Sequence, residues 1–323
     1  MKHYLITGGA GFIGSHLASC LLRRGDAVTV IDNLDPFYPR SMKQANLDAL
    51  RVYPRFRFLE LDILDSSTVN RECAVEYNGI VHLAAKAGVR PSIAEPMTYQ
   101  KVNVIGTQCL LDFAREHRIK QFVFASSSSV YGVNPSVPWR ETESILQPIS
   151  PYAATKISGE LLGAVYSHLY GIRFLALRFF TVYGPSQRPD LAIRKFAEQM
   201  LAGVPIPVYG EGTTSRDYTY VDDIVCGITA ALDYDLSLYE VMNLGNEQPI
   251  QLNELVRALE ASLGVKAIRR HMPLQAGDVP RTCADISKAR RLLAYKPHTT
   301  LSEGLHKFSG WLRQQNAFAA VSR

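Results

Sequence analysis

Short apolar segments alternate with helical patterns over the first half of this 323-residue chain. The apolar segments occupy residues 4–6, 27–31, 56–61, 80–83, 122–125 and 174–179. Continuous apolar runs of this length are typical of strands that are buried on both faces of a parallel sheet. Amphipathic segments lie between them, and residues 104–117 and 152–170 are the two longest. Repeated strand–helix–strand units predict an α/β fold with a doubly wound parallel sheet and right-handed crossovers.

The pattern becomes looser after Gly184. Helical stretches at residues 192–202, 221–232, 252–263 and 301–311 are separated by loops that contain proline and glycine. We therefore predict a sheet domain over residues 1–184 and a smaller α/β domain over residues 185–323. The second domain is expected to be built onto the sheet, with some exchange of chain between the two.

A glycine-rich turn follows the first predicted strand and opens the first predicted helix. Gly8, Gly11 and Gly14 have the spacing GxxGxxG, a variant of the fingerprint of Rossmann-type dinucleotide-binding folds. Glycines allow the backbone to turn tightly and to approach a pyrophosphate, and the N-terminus of the helix favours the anion. A purely structural turn is the alternative interpretation. The position of the motif between strand and helix favours a dinucleotide site.

Asp32 ends the second predicted strand, eighteen residues after Gly14. A carboxylate at this place accepts hydrogen bonds from a ribose and repels a 2′-phosphate, so the sequence predicts NAD rather than NADP. The alternative is a turn-forming aspartate in the pair Asp32-Asn33.

A tyrosine and a lysine share one face of a predicted helix. Tyr152 and Lys156 are four residues apart, and a nearby ammonium together with a positive nicotinamide would favour the phenolate, as a general base requires. The alternative is an exposed Tyr–Lys pair. Upstream, residues 126–129 are four serines at the end of a predicted strand, where open α/β sheets bind their ligands, although serine-rich loops are also ordinary turns.

These motifs together resemble the extended short-chain dehydrogenase/reductase family, in its nucleotide-sugar epimerase branch. The resemblance rests on TGGAGFIG, Asp32, HLAAKAGVR, NVIGT, SSSSVYG and YAATK, and continues through RDYTYVDD and GDVPRTCAD. Within that branch the chain is most similar to UDP-glucuronate 4-epimerases, through HLAAKAGVRPS and RFFTVYGPSQRPD. The resemblance implies an isomerase that binds NAD and a UDP-sugar. It inverts C4 through a 4-keto intermediate, most plausibly between UDP-glucuronate and UDP-galacturonate.

The resemblance also implies roles for individual residues. Tyr152 would be the acid/base, Lys156 its partner and the anchor of the nicotinamide ribose, and Ser127 a hydroxyl that bridges the sugar O4 and Tyr152. Besides Tyr152 and Lys156, the cofactor positions are Gly8, Gly11, Phe12, Ile13, Gly14, Asp32, Asn33, Lys43, Asp62, Ile63, Leu83, Ala84, Ala85 and Asn103. Besides Ser127, the substrate positions are Arg90, Ser128, Ser129, Thr181, Arg188, Arg216, Gln275 and Asp278. Gln275 stands where galactose-type epimerases carry an arginine, so its contact with the diphosphate is open.

Several other functions share this chemistry. Dehydratases and UDP-glucuronate decarboxylases carry an acidic residue directly after the active-site hydroxyl, whereas this chain has Ser128 and Ser129, which disfavours both eliminations. Thr181 stands where galactose-type epimerases commonly have asparagine, but a threonine is also ordinary in a strand. Epimerases of UDP-glucose or UDP-N-acetylglucosamine therefore stay open. A non-catalytic NAD-binding scaffold is the remaining alternative.

Composition limits the partners of the protein. The formal charge of +5, from 35 basic and 30 acidic residues, is too small and too dispersed to predict a nucleic-acid or membrane surface. No apolar run reaches the roughly 18 residues of a membrane span, and no signal peptide is evident. The five cysteines and eight histidines show no metal spacing, and His82 is expected to be a core residue. We expect a cytoplasmic protein without a metal, and the family resemblance implies a homodimer that pairs through residues 104–117 and 152–170.

Overall fold

The computed structural model describes residues 1–143, 148–273 and 279–321, with the side chains of the last helix described as far as residue 315. The strands are β1 (His3–Thr7), β2 (Ala27–Asp32), β3 (Phe56–Glu60), β4 (Gly79–His82), β5 (Gln121–Ser127), β6 (Arg173–Phe179), β7 (Thr181–Tyr183), β8 (Ile206–Tyr209), β9 (Ser215–Tyr220), β10 (Tyr239–Leu244), β11 (Pro249–Gln251) and β12 (Arg269–Met272). The α-helices are α1 (Phe12–Arg23), α2 (Arg40–Leu50), α3 (Ser66–Glu72), α4 (Val89–Ala94), α5 (Pro96–Tyr99), α6 (Gly106–Glu116), α7 (Pro151–Tyr170), α8 (Ala192–Leu201), α9 (Val221–Leu232), α10 (Leu252–Leu263), α11 (Ser287–Leu293) and α12 (Leu301–Val321).

Seven strands form a parallel sheet in the order β10-β6-β5-β4-β1-β2-β3. The order reverses at β1, which pairs with β2 on one side and with β4 on the other. Strands β4 and β5 are buried along their whole length because helices cover both faces of the sheet. The prediction of a doubly wound parallel α/β fold is confirmed, and each of the six predicted apolar runs overlaps one of the sheet's strands.

The seventh strand comes from beyond residue 184. β10 pairs in parallel with β6, and α9 packs against α1 on the same sheet. The sequence analysis did not identify β10, whose first three residues are only half buried and interrupt an apolar pattern. The remaining strands form a three-stranded sheet, β11-β9-β7, and a two-stranded sheet, β12-β8. The division at residue 184 stays a prediction.

Two helices differ from their predicted bounds. The segment predicted at 104–117 begins within a π-helical turn, Gln100–Ile105, that joins α5 to α6. The wider turn moves the side chains of this segment out of the regular helical register, and such turns are frequent at functional sites. The last helix continues to Val321, ten residues beyond its predicted end at residue 311.

Close contact between α7 and the sheet depends on two glycines. A Cβ built on Gly159 would lie 2.4 Å from Cζ of Phe124, and one built on Gly163 would lie 2.2 Å from Cε1 of Phe174. Bare backbone therefore lies against the aromatic rings of β5 and β6. This close packing brings the first two turns of α7, with Tyr152 and Lys156, to the carboxyl end of the sheet.

No helix in the described ranges has both the length and the apolar character needed to cross a membrane. Within the same ranges, the His, Cys, Asp and Glu side chains form no cluster of three or more that could hold a metal ion. All five cysteines carry free thiols.

Candidate active site

A cleft of about 430 Å³ lies at the carboxyl ends of the parallel strands. This is where ligands bind in open α/β sheets, and the volume suits a small molecule. Most of the predicted site residues line it together: Gly8, Gly11, Phe12, Ile13, Gly14, Asp32, Asn33, Lys43, Asp62, Ile63, Leu83, Ala84, Ala85, Ser127, Ser128, Ser129, Tyr152, Lys156, Thr181 and Arg188.

The glycine-rich turn forms one wall of the cleft. Gly8 has a φ of +71°, and a Cβ at this position would lie 2.7 Å from the backbone nitrogen of Ala84. A Cβ on Gly14 would lie 2.4 Å from the carbonyl oxygen of Gly8. No described side chain caps α1 at Gly11, so the first N–H groups of the helix are available to an anion. The turn therefore has the chemistry of a pyrophosphate site.

Asp32 is held rigidly at the end of β2. One carboxylate oxygen accepts the backbone N–H of Leu34 at 2.8 Å, and the other accepts that of Ala10 at 3.2 Å. The ammonium of Lys43 lies 3.4 Å from the first oxygen, and both side chains are almost fully buried. A carboxylate that is fixed on the cleft wall, in contact with the phosphate-binding turn through Ala10, suits the ribose of a dinucleotide. The residues present therefore fit NAD.

Lys156 lies beneath the opposite end of the cleft. Its ammonium donates a hydrogen bond of 2.7 Å to the carbonyl oxygen of Ala125 and lies 5.8 Å from the ring centre of Tyr152. Burial lowers the pKa of Lys156 to about 8, and the negative charge of Glu160 opposes that shift. The ammonium is thus placed close to the phenol, as the YxxxK spacing predicts.

The phenol of Tyr152 faces opposing influences on its pKa. Burial raises the pKa, whereas a hydrogen bond with Ser127 and the positive charge of Arg188 lower it. In the protein alone, burial outweighs the other two causes. The sequence argument also counted the positive nicotinamide as a factor that favours the phenolate, and that charge would come with the bound cofactor.

The serine loop turns sharply at the end of β5. Ser127 is the N-cap of a short 3₁₀-helix, Ser128–Tyr131, and its Oγ accepts the backbone N–H of Ser129 at 3.2 Å. It also donates to the hydroxyl of Ser129 at 3.2 Å. The turn brings Ser127, Ser128 and Ser129 into one cleft with Thr181, the first residue of β7. This side of the cleft therefore offers several neutral hydroxyl donors.

Arg188 is the cation on the same side. Its guanidinium binds both carboxylate oxygens of Asp190 at 2.9 Å and lies 5.7 Å from the ring centre of Phe37. The charge is thus already partly balanced. A site made of neutral hydroxyls and a paired arginine would bind the carboxylate of a ligand weakly. An unpaired cation would bind such a carboxylate more strongly.

Among the described residues, three of the predicted site positions do not line the cleft. Asn103 is buried behind its wall, where it bonds the backbone of Lys86 and the hydroxyl of Thr155, because the π-helical turn directs it there. Arg90 is exposed on α4 and lies 5.8 Å from the ring centre of Tyr209. The guanidinium of Arg216, on β9, donates to the carbonyl of Ser215. Gln275 and Asp278 lie outside the described residues.

The sequence analysis missed several residues of the cleft. The ammonium of Lys86 and the carboxylate of Asp35 form an ion pair of 2.8 Å between the loops after β4 and β2. Phe37 and Tyr38 come from the same loop as Asp35, and Phe179 ends β6. Lys86 stands inside the motif HLAAKAGVR, so the motif could have indicated it. No pattern indicated the residues of the loop after Asn33.

His82 is a buried core residue, as expected. Its Nδ1 is 2.8 Å from the hydroxyl of Thr7, and its Nε2 is 3.0 Å from that of Thr107. The Thr107 hydroxyl donates to the carbonyl of Asn103, so it accepts from the ring, and the neutral Nε2–H tautomer fits both contacts. Burial, aided by the charge of Lys156, lowers the pKa of His82 to about 3.

A doubly wound sheet with this glycine turn, acidic strand end and Tyr–Lys pair defines a short-chain dehydrogenase/reductase. The model of the GDP-mannose 4,6 dehydratase family matches residues 5–308, and the chain belongs to that extended branch of the class.

Named relatives cover almost the whole chain. A UDP-glucuronate 4-epimerase of Thermodesulfobacterium geofontis is 40% identical over 316 residues, 97% of each chain. The crystal structure of a UDP-glucuronic acid 4-epimerase from Bacillus cereus, in complex with UDP-glucuronic acid and NAD, is 37% identical with a TM-score of 0.90, over 97% of this chain and 99% of that one. The structure of a UDP-glucose 4-epimerase from Thermotoga maritima, with UDP-glucose, is 34% identical with a TM-score of 0.89 over the same shares.

Proposed function

We propose that this protein is an NAD-dependent isomerase that inverts C4 of a UDP-sugar and converts UDP-glucuronate to UDP-galacturonate. The observation that carries the proposal is the meeting of Tyr152, Lys156 and Ser127 with hydroxyl donors in the cleft that the glycine turn opens. The 40% identical relative that is a UDP-glucuronate 4-epimerase supports the same reaction.

The cofactor site would be formed by the glycine turn and Asp32. The first N–H groups of α1 would hold the pyrophosphate, and the Asp32 carboxylate would accept hydrogen bonds from the adenosine ribose. Bound NAD supplies an acceptor for the hydride of C4 and returns that hydride later in the cycle. Asp32 repels a 2′-phosphate, which favours NAD over NADP.

Tyr152 would move the proton of the sugar O4. As a phenolate it removes this proton while C4 is oxidised, and as a phenol it returns the proton when C4 is reduced on its other face. The ammonium of Lys156 stabilises the phenolate, and the hydroxyl of Ser127 orients O4. Oxidation and reduction balance within one turnover, so no external oxidant is consumed.

A uronic acid demands control of its carboxylate. The 4-keto form of a uronic acid is a β-keto acid, which loses CO2 readily when the bond to the carboxylate is parallel to the carbonyl π orbitals. The hydroxyls of Ser128, Ser129 and Thr181 would hold the carboxylate in another orientation. An elimination would require an acidic side chain directly after Ser127, and this chain has Ser128 and Ser129 there instead.

Rates on three substrates test the proposal. UDP-glucuronate, UDP-glucose and UDP-N-acetylglucosamine are compared at equal concentration, with products identified by chromatography and any CO2 measured. We expect UDP-galacturonate to form fastest, without release of CO2. The similarity to a UDP-glucose 4-epimerase makes epimerisation of a neutral UDP-sugar the second candidate function. Faster turnover of UDP-glucose or UDP-N-acetylglucosamine would therefore contradict the substrate assignment. Stoichiometric CO2 with a UDP-pentose would indicate a decarboxylase, and an absence of turnover a non-catalytic scaffold.

We also propose that the protein is a homodimer, and the outer face of α7 supports this proposal. Leu161, Val165 and Leu169 lie four residues apart and are 63%, 49% and 59% exposed. An apolar stripe of this kind on a long helix supports a homodimer in which α6 and α7 pair with those of a second copy. Five free thiols support a reducing compartment, and we place the protein in the cytoplasm.

A further inference from the structure

A buried ion pair lies next to the candidate active site, between α7 and β6. The guanidinium of Arg178 binds the Glu160 carboxylate through two hydrogen bonds, Nε to Oε1 at 2.9 Å and Nη2 to Oε2 at 2.8 Å. The two side chains are only 4% and 5% exposed. A planar bidentate pair without access to water holds its geometry strictly.

The pair joins the elements that carry the catalytic groups. Oε1 of Glu160 also accepts the hydroxyl of Ser126 at 2.5 Å, and Ser126 directly precedes Ser127. The guanidinium of Arg178 lies 4.8 Å from the ring centre of Tyr131, which ends the 3₁₀-helix of the serine loop. One ion pair therefore connects α7, which carries Tyr152 and Lys156, with both ends of the serine loop.

Glu160 follows Lys156 by one helical turn. Residues four apart share a face of a helix, so the carboxylate lies on the side of the buried ammonium. The carboxylate is the nearby charge that favours the ammonium form of Lys156. Neutral side chains at residues 160 and 178 would leave that ammonium buried without a counter-charge from α7.

Stability alone does not account for such a pair. Desolvation of two buried charges offsets most of their attraction, and apolar residues of similar volume often stabilise a protein equally well. Moreover, Nη1 of Arg178 is buried without a hydrogen-bond partner among the described residues. The pair thus carries an energetic cost, which a role in catalysis would explain.

We propose, on the basis of the epimerase function proposed above, that Glu160 and Arg178 are positioning residues that orient Ser127 toward Tyr152, and that the Glu160 carboxylate balances the charge of Lys156. Neither residue lines the cleft. They act through the catalytic residues that they hold.

Several other ionisable groups face this region. His82 of β4 is held neutral by burial, and Tyr131 and Tyr239, on the 3₁₀-helix and β10, have pKa values raised by burial. Arg188, on the loop after β7, also lines the cleft, and its positive charge acts on Tyr152. The ion pair of Glu160 with Arg178 therefore supplies the paired charges that face Lys156 from α7 and β6, and the two residues are the ones to replace.

The test is the pH profile of kcat for Glu160→Gln and Arg178→Met in the NAD-loaded protein. Removal of a negative charge favours the deprotonated forms of Tyr152 and Lys156. Glu160→Gln should therefore move both the acidic limb and the basic limb of the pH profile to lower pH, by about 1 unit. Arg178→Met should move them to higher pH. In both variants kcat should fall by about 10-fold or more while KM changes little. Shifts in the same direction, or unmoved limbs, would overturn the proposal.

A matched control separates catalysis from stability. Asp26→Asn breaks the ion pair of Asp26 with Arg24, which is 2.6 Å long and lies at the other end of the strands. It should lower the unfolding temperature without moving the pH profile. If either test variant fails to fold, Ser126→Ala serves in its place, because it removes the hydrogen bond that the Ser126 hydroxyl donates to Glu160 and should lower kcat several-fold at unchanged KM. An unchanged kcat in that variant would overturn the proposal. Wild-type protein that fails to convert UDP-glucuronate would instead contradict the proposed function.

Discussion

The ammonium of Lys156 donates a hydrogen bond to the backbone carbonyl of Ala125, at 2.7 Å. This contact joins the second turn of α7 to the carboxyl end of β5, two residues before Ser127. Two sequence motifs, YxxxK and the serine run, are separated by about twenty residues of sequence, and this bond brings them into one site. It also keeps the ammonium buried, which lowers the pKa of Lys156 to about 8.

Replacement of Tyr152 by phenylalanine should abolish most turnover while NAD stays bound. The phenol is the group proposed to move the O4 proton, and acid–base groups contribute about 10²- to 10⁴-fold to a rate. Turnover of UDP-glucuronate and the NAD content of the purified protein are measured together. Tyr53→Phe, which removes a hydroxyl far from the cleft, should keep its rate within about two-fold. Unchanged turnover in Tyr152→Phe would exclude this tyrosine from the mechanism.

Replacement of Asp32 by serine should broaden the cofactor preference. The variant removes the carboxylate that repels a 2′-phosphate and leaves the ammonium of Lys43, now 3.4 Å from Asp32 Oδ1, free to attract one. We expect the ratio of NADP to NAD affinity to rise by about 10-fold or more, since a charge-assisted contact replaces a repulsion. Titration calorimetry with both nucleotides measures it. A second replacement, Lys43→Met, should reverse the gain, and equal loss of both nucleotides would contradict the assignment.

The cofactor-free protein should lose stability in mild acid through His82. The pKa of this imidazole is lowered by burial to about 3, whereas it is about 6.5 in the unfolded chain, so the unfolded state binds the extra proton between these values. The contribution of the neutral imidazole to the free energy of unfolding is complete above pH 6.5 and is lost as the pH falls toward 3. Between pH 6.5 and 4.5 the loss should be about 2–3 kcal/mol. Urea unfolding of wild type and His82→Gln isolates it, and parallel pH curves would contradict it.

Two helical glycines should respond in opposite ways to alanine. Gly163→Ala places a methyl group 2.2 Å from the ring of Phe174, and overpacking of this kind destabilises a protein by about 1–3 kcal/mol. Gly310→Ala, on an exposed face of α12 with open space around it, should stabilise by up to about 1 kcal/mol through helix propensity. Urea midpoints of both variants are compared with wild type. Equal shifts would show that the contact with Phe174 is unimportant.

The exposed stripe of α7 should control assembly. The double variant Leu161→Glu/Leu169→Glu introduces like charges into the proposed interface and should yield a monomer. Sedimentation or light scattering gives the mass. Leu236→Glu, at a site that is 72% exposed in the loop before β10, is the matched control and should leave the mass unchanged. A wild-type monomer would contradict the dimer.

The sequence by itself determined the parallel α/β class, the phosphate-binding turn and the spacing of Tyr152 with Lys156. These features are local: apolar runs, a turn in which a Cβ at Gly14 would meet the carbonyl oxygen of Gly8, and residues four apart on a helix all depend on neighbours within a few positions. The serine run at the end of β5 was also readable, because parallel strands end at the same edge of the sheet. The six predicted strands follow from the same short-range patterns.

Only the tertiary structure decided the rest. The strand β10, from a part of the chain predicted to lie in a second domain, completes the sheet because its backbone pairs with β6, which no local pattern encodes. The π-helical turn directs Asn103 behind the cleft, and the loop after Asn33 brings Asp35 to Lys86. Glu160 and Arg178, eighteen residues apart, are ordinary charges in the sequence. They become a buried pair only because α7 packs closely against β6.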